Sequence, residues 1–169
     1  MNLYQSLGYL VMGSRLRRLS ENFLSEINRV YQNEGIDFDA SWFPVFYLLS
    51  KNDALSIKEL SEQTEVSHPA ASQLIANLKN KTLVTSATCS DDGRRQLVTL
   101  TDKGRVLLND ILPVWDAIIA AMEELVPLEP DGKNLLPAIG AMEAIFKQNS
   151  LSERIGAKLS SQLKPAANE

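Results

Sequence analysis

Hydrogen-bonding side chains occupy one face of a predicted helix between Ser67 and Lys81. The apolar residues of this segment recur at positions 71, 74, 75 and 78, the spacing of the buried stripe of a helix. The remaining face contains His68, Ala70, Ser72, Gln73, Ala76 and Asn77. Gln and Asn bond adenine through two hydrogen bonds, Ser bonds several bases, and a small Ala leaves room for a thymine methyl. These residue types suit contacts with base edges in a DNA major groove.

Basic side chains flank this face. Lys79 and Lys81 lie at the end of the predicted helix, and Arg94 and Arg95 lie at the tip of a predicted hairpin. Such cations contact phosphates or enter the minor groove. His68 has two interpretations, a contact to a base or phosphate and an exposed residue of the capping turn.

Two short helices and a hairpin position these residues. Ser56 and Glu59 form a capping-box pattern at the start of the first helix, which ends near Thr64. Ser67 caps the second helix, with Pro69 in its first turn. Residues 83–89 and 96–100 have the alternating period of strands, and residues 90–95 are rich in turn formers. This order predicts a winged helix-turn-helix.

Longer helices flank this unit. Apolar residues from Leu3 to Tyr31 predict one helix of about 30 residues, which ends at Gly35. Ser41 is the expected N-cap of the next helix, and Thr101 that of a long helix containing Pro113. The fold class is therefore mostly α, with a two-stranded β-hairpin wing and long terminal helices. We predict a DNA-binding region at 36–104, a helical dimerisation region at 1–35 and 105–163, and a flexible tail at 164–169.

Composition excludes several classes of site. A single Cys and a single His cannot form an intrachain disulfide or a zinc cluster, so we expect neither metal nor cofactor. The longest apolar run has eight residues, against the roughly 20 that cross a bilayer, so we expect a cytoplasmic protein without membrane contact. No Gly-rich phosphate loop follows a strand, and His68 lacks the context of a hydrolase triad. An enzyme is not expected.

The net charge of −4 is unevenly divided along the chain. Residues 56–105 hold seven basic and six acidic side chains, so the remainder carries the negative charge. The segment from Ser67 to Lys81 contains no acid. A local basic surface is therefore compatible with an acidic protein.

The chain resembles the MarR family of bacterial transcriptional regulators in four segments. These are Leu55–Leu60, Val66–Leu74, Leu83–Val84 and the wing Asp92–Gly104, where Asp92, Arg94, Leu100, Thr101 and Gly104 match the family's pattern. The resemblance implies that Arg94 reaches the minor groove, that Asp92 orients the wing, and that residues 67–81 read the major groove. It also implies a homodimer of intertwined terminal helices. Because the exposed face of the segment from Ser67 to Lys81 lacks the arginine common in the family, we expect an A·T-leaning site.

The resemblance further implies a pocket for a small aromatic or anionic effector. Candidate residues are Arg15, Trp42, Phe46 and Tyr47. Aromatic residues at helical spacing are more often core, with Tyr47 the expected exception, and Arg15 also fits a solvated helix face. Cys89 fits a plain strand residue better than a redox sensor, because no basic residue precedes Arg94 nearby.

The sequence thus predicts a ligand-responsive repressor that binds a pseudo-palindromic double-stranded operator as a homodimer and associates with the nucleoid. The alternative is a winged-helix protein-interaction module that does not bind DNA. Such a module is expected to lack the wing arginines or to carry acids beside the second helix. A third interpretation is a sensor or carrier of small molecules.

Overall fold

The computed structural model describes residues 3–88 and 96–162. In these residues the chain forms eight α-helices and three short β-strands, which confirms the predicted mostly helical winged helix-turn-helix. It divides into two compact units, which meet in the sequence between Ile118 and Ile119. The elements are α1 Leu3–Ser6, α2 Met12–Asn33, α3 Phe43–Lys51, β1 Leu55–Ser56, α4 Ile57–Thr64, α5 His68–Asn80, β2 Val84–Thr88, β3 Gln96–Leu100, α6 Asp102–Leu125, α7 Leu135–Gln148 and α8 Leu151–Gln162.

The predicted single helix from Leu3 to Tyr31 is wrong in its first two turns. Helix α1 ends at Ser6 and a 3-10 turn precedes α2, because Gly8 adopts the left-handed conformation with a φ of 54°. The predicted end is confirmed. Gly35 has a φ of 69°, and the N–H of Ile36 donates to the carbonyl of Tyr31 at 2.8 Å, as in a glycine-terminated helix.

Asp39, rather than the predicted Ser41, caps the next helical segment. Its Oδ1 accepts hydrogen bonds from the backbone N–H and the hydroxyl of Ser41, at 2.8 and 2.5 Å. Ser41 lies inside a 3-10 turn that leads directly into α3, so the turn begins two residues earlier than expected.

The core of the first unit lies between α2, α3 and α6. Tyr31, Phe46 and Ile111 are at most 1% exposed. The indole N–H of Trp115 donates to the hydroxyl of Tyr31 at 3.1 Å, which satisfies two polar groups in an apolar environment. Burial raises the pKa of Tyr31, and this hydrogen bond opposes the rise.

The three strands form one antiparallel sheet in the order β1-β3-β2. The predicted hairpin is confirmed, with Val84 opposite Leu100 and Thr88 opposite Gln96. Strand β1 was not predicted because two residues carry no periodicity. It pairs Leu55 with Val98 and connects the sheet directly to α4. Cys89, the wing tip and the predicted tail 164–169 lie outside the described residues.

The second unit consists of the end of α6, two 3-10 turns, α7 and α8. None of the described side chains of α7 and α8 is buried. In the described part of the chain, no helix has both the length and the apolar character required to cross a membrane.

We predict that Gly104→Ala destabilises the protein. A Cβ at Gly104 would lie 2.1 Å from the carbonyl oxygen of Leu83, so the backbone must shift, at a cost of about 1–3 kcal/mol. Gly13 provides the control, because nothing lies within 4 Å of a Cβ at that position. Gly13→Ala should raise the free energy of unfolding by about 0.4–1 kcal/mol. Urea unfolding measures both changes, and a Gly104→Ala protein as stable as wild type contradicts this account.

Candidate nucleic-acid interface

A tight turn joins α4 to α5. The predicted capping box starts α4, since Glu59 N–H donates to Ser56 Oγ at 3.2 Å and Ser56 N–H to Glu59 Oε2 at 2.7 Å. Glu65 ends α4 in the left-handed conformation, with a φ of 55°. The hydroxyl of Ser61 donates to the carbonyl of Val66 at 2.8 Å and thereby fixes the turn from inside. This turn sets the angle at which α5 leaves α4.

Helix α5, which we call the recognition helix, has one buried and one exposed face. Ser67 Oγ accepts from Ala70 N–H at 3.4 Å, which confirms the predicted N-cap. Ala71, Ile75 and Leu78 are buried and Leu74 is half-buried, which confirms the predicted stripe. The opposite side, which we call the reading face, exposes His68, Ala70, Gln73, Ala76 and Asn77, while Ser72 is half-buried.

Two amides lie one helical turn apart at the centre of the reading face. Gln73 Nε2 donates to Asn77 Oδ1 at 3.2 Å, and both side chains are exposed. The hydrogen bond restrains two flexible side chains in one arrangement. It leaves the Asn77 amide nitrogen and the Gln73 carbonyl oxygen available, so the pair presents donors and an acceptor together.

The end of the recognition helix is held by two local backbone hydrogen bonds and by one contact distant in sequence. Thr82 has a φ of 59°, a conformation that β-branched residues rarely adopt. Its N–H donates to the Lys79 carbonyl at 2.8 Å, and the N–H of Leu83 to the Leu78 carbonyl at 3.0 Å. From the position just before α6, the hydroxyl of Thr101 donates to the Thr82 carbonyl at 2.7 Å.

Both predicted phosphate-contacting lysines of the recognition helix have protein partners. Lys79 is half-buried, and its Nζ donates to Ser86 Oγ on β2 at 2.5 Å. Lys81 Nζ lies 3.2 Å from Asp37 Oδ2 and 5.1 Å from the centre of the Trp42 ring. Both ammonium groups therefore connect the recognition helix to other elements of the first unit.

The predicted wing residues Asp92, Arg94 and Arg95 lie outside the described residues. His68 borders an open cleft of about 760 Å³ beside α4, together with Lys58, Glu59 and Glu62. In the described ranges, no group of three or more His, Cys, Asp or Glu side chains is placed to hold a metal ion.

The four candidate effector residues have different surroundings in the described part of the chain. Arg15 borders a groove of about 500 Å³ on α2, and Trp42 borders a separate cleft of about 550 Å³. Phe46 is completely buried in the core. Tyr47 is exposed and stacks on Phe43, with ring centres 5.5 Å apart.

Asp37, Thr82 and Lys103 were missed by the sequence analysis. Asp37 is 44 residues from its partner Lys81, and Lys103 Nζ donates to the Lys81 carbonyl at 3.0 Å across 22 residues. Patterns within one helix or one hairpin of the sequence do not reveal contacts between residues 22 or 44 positions apart. The one available signal was Thr101, whose predicted cap is confirmed by a 3.0 Å hydrogen bond from Gly104 N–H to its hydroxyl.

Comparison with known proteins agrees with this geometry. Residues 36–95 match the model of the MarR family. The structure is similar to that of BpsR from Bordetella bronchiseptica, whose DNA binding is regulated by 6-hydroxynicotinic acid. The two chains are 22% identical, the similarity covers 79% of this chain and 92% of that chain, and the TM-score is 0.63. None of the curated proteins matches the chain.

Two DNA complexes are also similar. MepR from S. aureus is 18% identical, with 80% of this chain and 96% of that chain covered and a TM-score of 0.64. The transcriptional regulator MOSR from M. tuberculosis is 18% identical, with 83% and 98% covered and a TM-score of 0.67. At these identities the likeness establishes the fold.

We predict that Glu65→Gly stabilises the protein, because glycine adopts the left-handed conformation of the turn without the steric cost of a Cβ, about 1 kcal/mol. Glu62→Gly is the matched control. It lies inside α4, where glycine costs about 1 kcal/mol. Thermal or urea unfolding should show changes of opposite sign. Two changes of the same sign would contradict the assigned strain.

Proposed function

We propose that this chain, which carries the winged helix-turn-helix of the MarR family over residues 36–95, is a regulator of transcription that binds specific double-stranded DNA as a homodimer. It acts on DNA in the cytoplasm as a binding protein without catalytic activity. In this proposal the recognition helix enters the major groove, and α4 crosses the DNA backbone and supports the recognition helix.

The reading face of the recognition helix carries the proposal. It exposes a hydrogen-bonded Gln73–Asn77 pair, and the segment from Ser67 to Lys81 contains no acid that would repel phosphates. Gln and Asn are the side chains that bond adenine N6 and N7. We therefore propose A·T pairs at the centre of each half-site, with Ser67, His68, Ala70 and Ser72 bordering the contact.

The wing supplies the second contact in this proposal. Arg94 and Arg95 lie in the sequence between β2 and β3, which pair as an antiparallel hairpin. We propose that Arg94 enters the minor groove beside the half-site, that Arg95 contacts a phosphate, and that Asp92 orients the arginines.

Exposed apolar helix faces support the homodimer. Helix α2 exposes Leu16, Leu19, Phe23 and Leu24. The second unit exposes Leu136, Ile155 and Leu159, each at least half accessible. Contiguous apolar surface of this kind usually marks an interface. We propose that residues 1–35 and 105–163 cover these faces with the same faces of a second copy.

We also propose a small aromatic or anionic effector. The structurally similar BpsR is regulated by such a molecule, and α2 carries Arg15 beside Tyr9 and Leu16 in an open groove. An effector that binds one arrangement of the dimer better would shift the separation of the recognition helices. Titration of aromatic carboxylates against the DNA complex tests this, and affinity unchanged by all of them counts against it.

Selection of binding sites from random duplex DNA tests the proposed function. A homodimer with two recognition helices should enrich an inverted repeat whose half-site centres lie about one turn, 34–36 Å, apart. Sequences without an inverted repeat would contradict the dimer. Failure to enrich any sequence in moderate salt would support the protein-interaction alternative.

We predict that Gln73→Ala relaxes base preference at one or two positions of each half-site, with a loss of about 1–3 kcal/mol of discrimination. The reason is the lost amide contact to adenine. The control is Gln63→Ala, which removes the same type of side chain from an exposed position of α4 outside the reading face. Competition with single-base operator variants measures both. Equal base preference in wild type and Gln73→Ala would remove Gln73 from the interface.

A further inference from the structure

We infer that Lys81 is a positioning residue and not a phosphate contact, and that the acid Asp37 therefore supports DNA binding. Lys81, Asp37 and Trp42 form what we call the Lys81 latch. It fastens the C-terminal end of the recognition helix to the loop between α2 and α3. The inference rests on the proposed function and assigns a role within it.

The ammonium group of Lys81 is engaged on two sides. Its Nζ lies 3.3 and 3.2 Å from the two carboxylate oxygens of Asp37. It also lies 5.1 Å from the centre of the Trp42 ring, within the range of a cation–π contact. Trp42 is itself only 9% exposed and packs in the hydrophobic core. The latch thus connects a helix end to a residue of the core.

The latch acts at a point where the backbone needs support. Lys81 is the C-cap of the recognition helix, and Thr82 beside it has the unfavourable left-handed conformation. The carbonyl of Lys81 accepts from Lys103 Nζ at 3.0 Å. Side chain and backbone of one residue are thereby held by two different elements, the α2–α3 loop and the start of α6.

The geometry also opposes a phosphate contact. A phosphate at Lys81 Nζ would compete with the carboxylate of Asp37, which is 86% exposed and would face the same anion. An exposed ion pair contributes little, but combined with the cation–π contact it is sufficient for a several-fold change in affinity. The two roles predict opposite effects of removing Asp37. If Asp37 only competes with a phosphate for Lys81, its removal strengthens DNA binding. If Asp37 holds Lys81 in the latch, its removal weakens DNA binding.

The experiment measures the affinity of the full chain for its selected operator as a function of salt concentration. We expect Asp37→Ala and Lys81→Met each to weaken binding about threefold to tenfold with an unchanged salt slope, and the double variant to weaken it no further. Lys81→Arg should retain wild-type affinity.

Two further variants are controls. Glu34→Ala, at an exposed acid three residues before Asp37, controls for the general effect of removing a negative charge. Arg94→Ala controls for a phosphate or minor-groove contact and should reduce the slope by about 0.9 for each phosphate released.

Two results would overturn the inference. One is tighter binding by Asp37→Ala than by Glu34→Ala, and the other is a salt slope that falls in Lys81→Met as it does in Arg94→Ala. Urea unfolding of the four DNA-free proteins of the Asp37–Lys81 cycle separates this inference from the proposed function. Additive changes in stability would disprove the latch even if DNA binds, whereas a wild-type chain that selects no sequence would disprove the proposed function.

Discussion

The close approach of Gly104 to the carbonyl oxygen of Leu83 determines how the first unit is assembled. The same oxygen accepts hydrogen bonds from the backbone N–H and the hydroxyl of Thr101, at 3.1 and 3.2 Å. The residue before α6 is therefore bonded to Leu83, three positions after the end of the recognition helix. Because Gly104 has no side chain, the first turn of α6 can lie against this carbonyl, and the buried face of α6 meets α2 and α3 through Ile111 and Trp115.

The two ends of the helix-turn-helix are fixed by different means. At its beginning, Ser56 is both the last residue of β1 and the N-cap of α4, so the sheet and the first helix share one residue. At its end, the recognition helix is held by Thr101 just before α6, by Lys103 in the first turn of α6 and by Asp37 in the loop before α3. Side-chain contacts therefore connect the C-terminal end of the recognition helix to the α2–α3 loop and to the start of α6.

Features set by short stretches of sequence were predictable. The capping box at Ser56 and Glu59, the Ser67 cap and the buried stripe of the recognition helix all depend on residues at most seven positions apart. Strand β1 was not predictable, because a two-residue strand exists only through its pairing with β3. The partners of Lys79 and Lys81 were also beyond prediction. A lysine near a DNA-binding face has the same sequence signature whether its ammonium group points to a phosphate or to Asp37.

The division of the recognition helix into two faces has a consequence for the evolution of binding specificity. Ala71, Ile75 and Leu78 hold the helix in place, and Gln73 and Asn77 take no part in that packing. Substitutions at 73 and 77 therefore carry little penalty in stability. In the proposed function, a lineage can retarget the protein to a new operator by exchanging these two side chains, while the buried residues Ala71, Ile75 and Leu78 stay the same. Divergence of paralogues after gene duplication needs no change of scaffold.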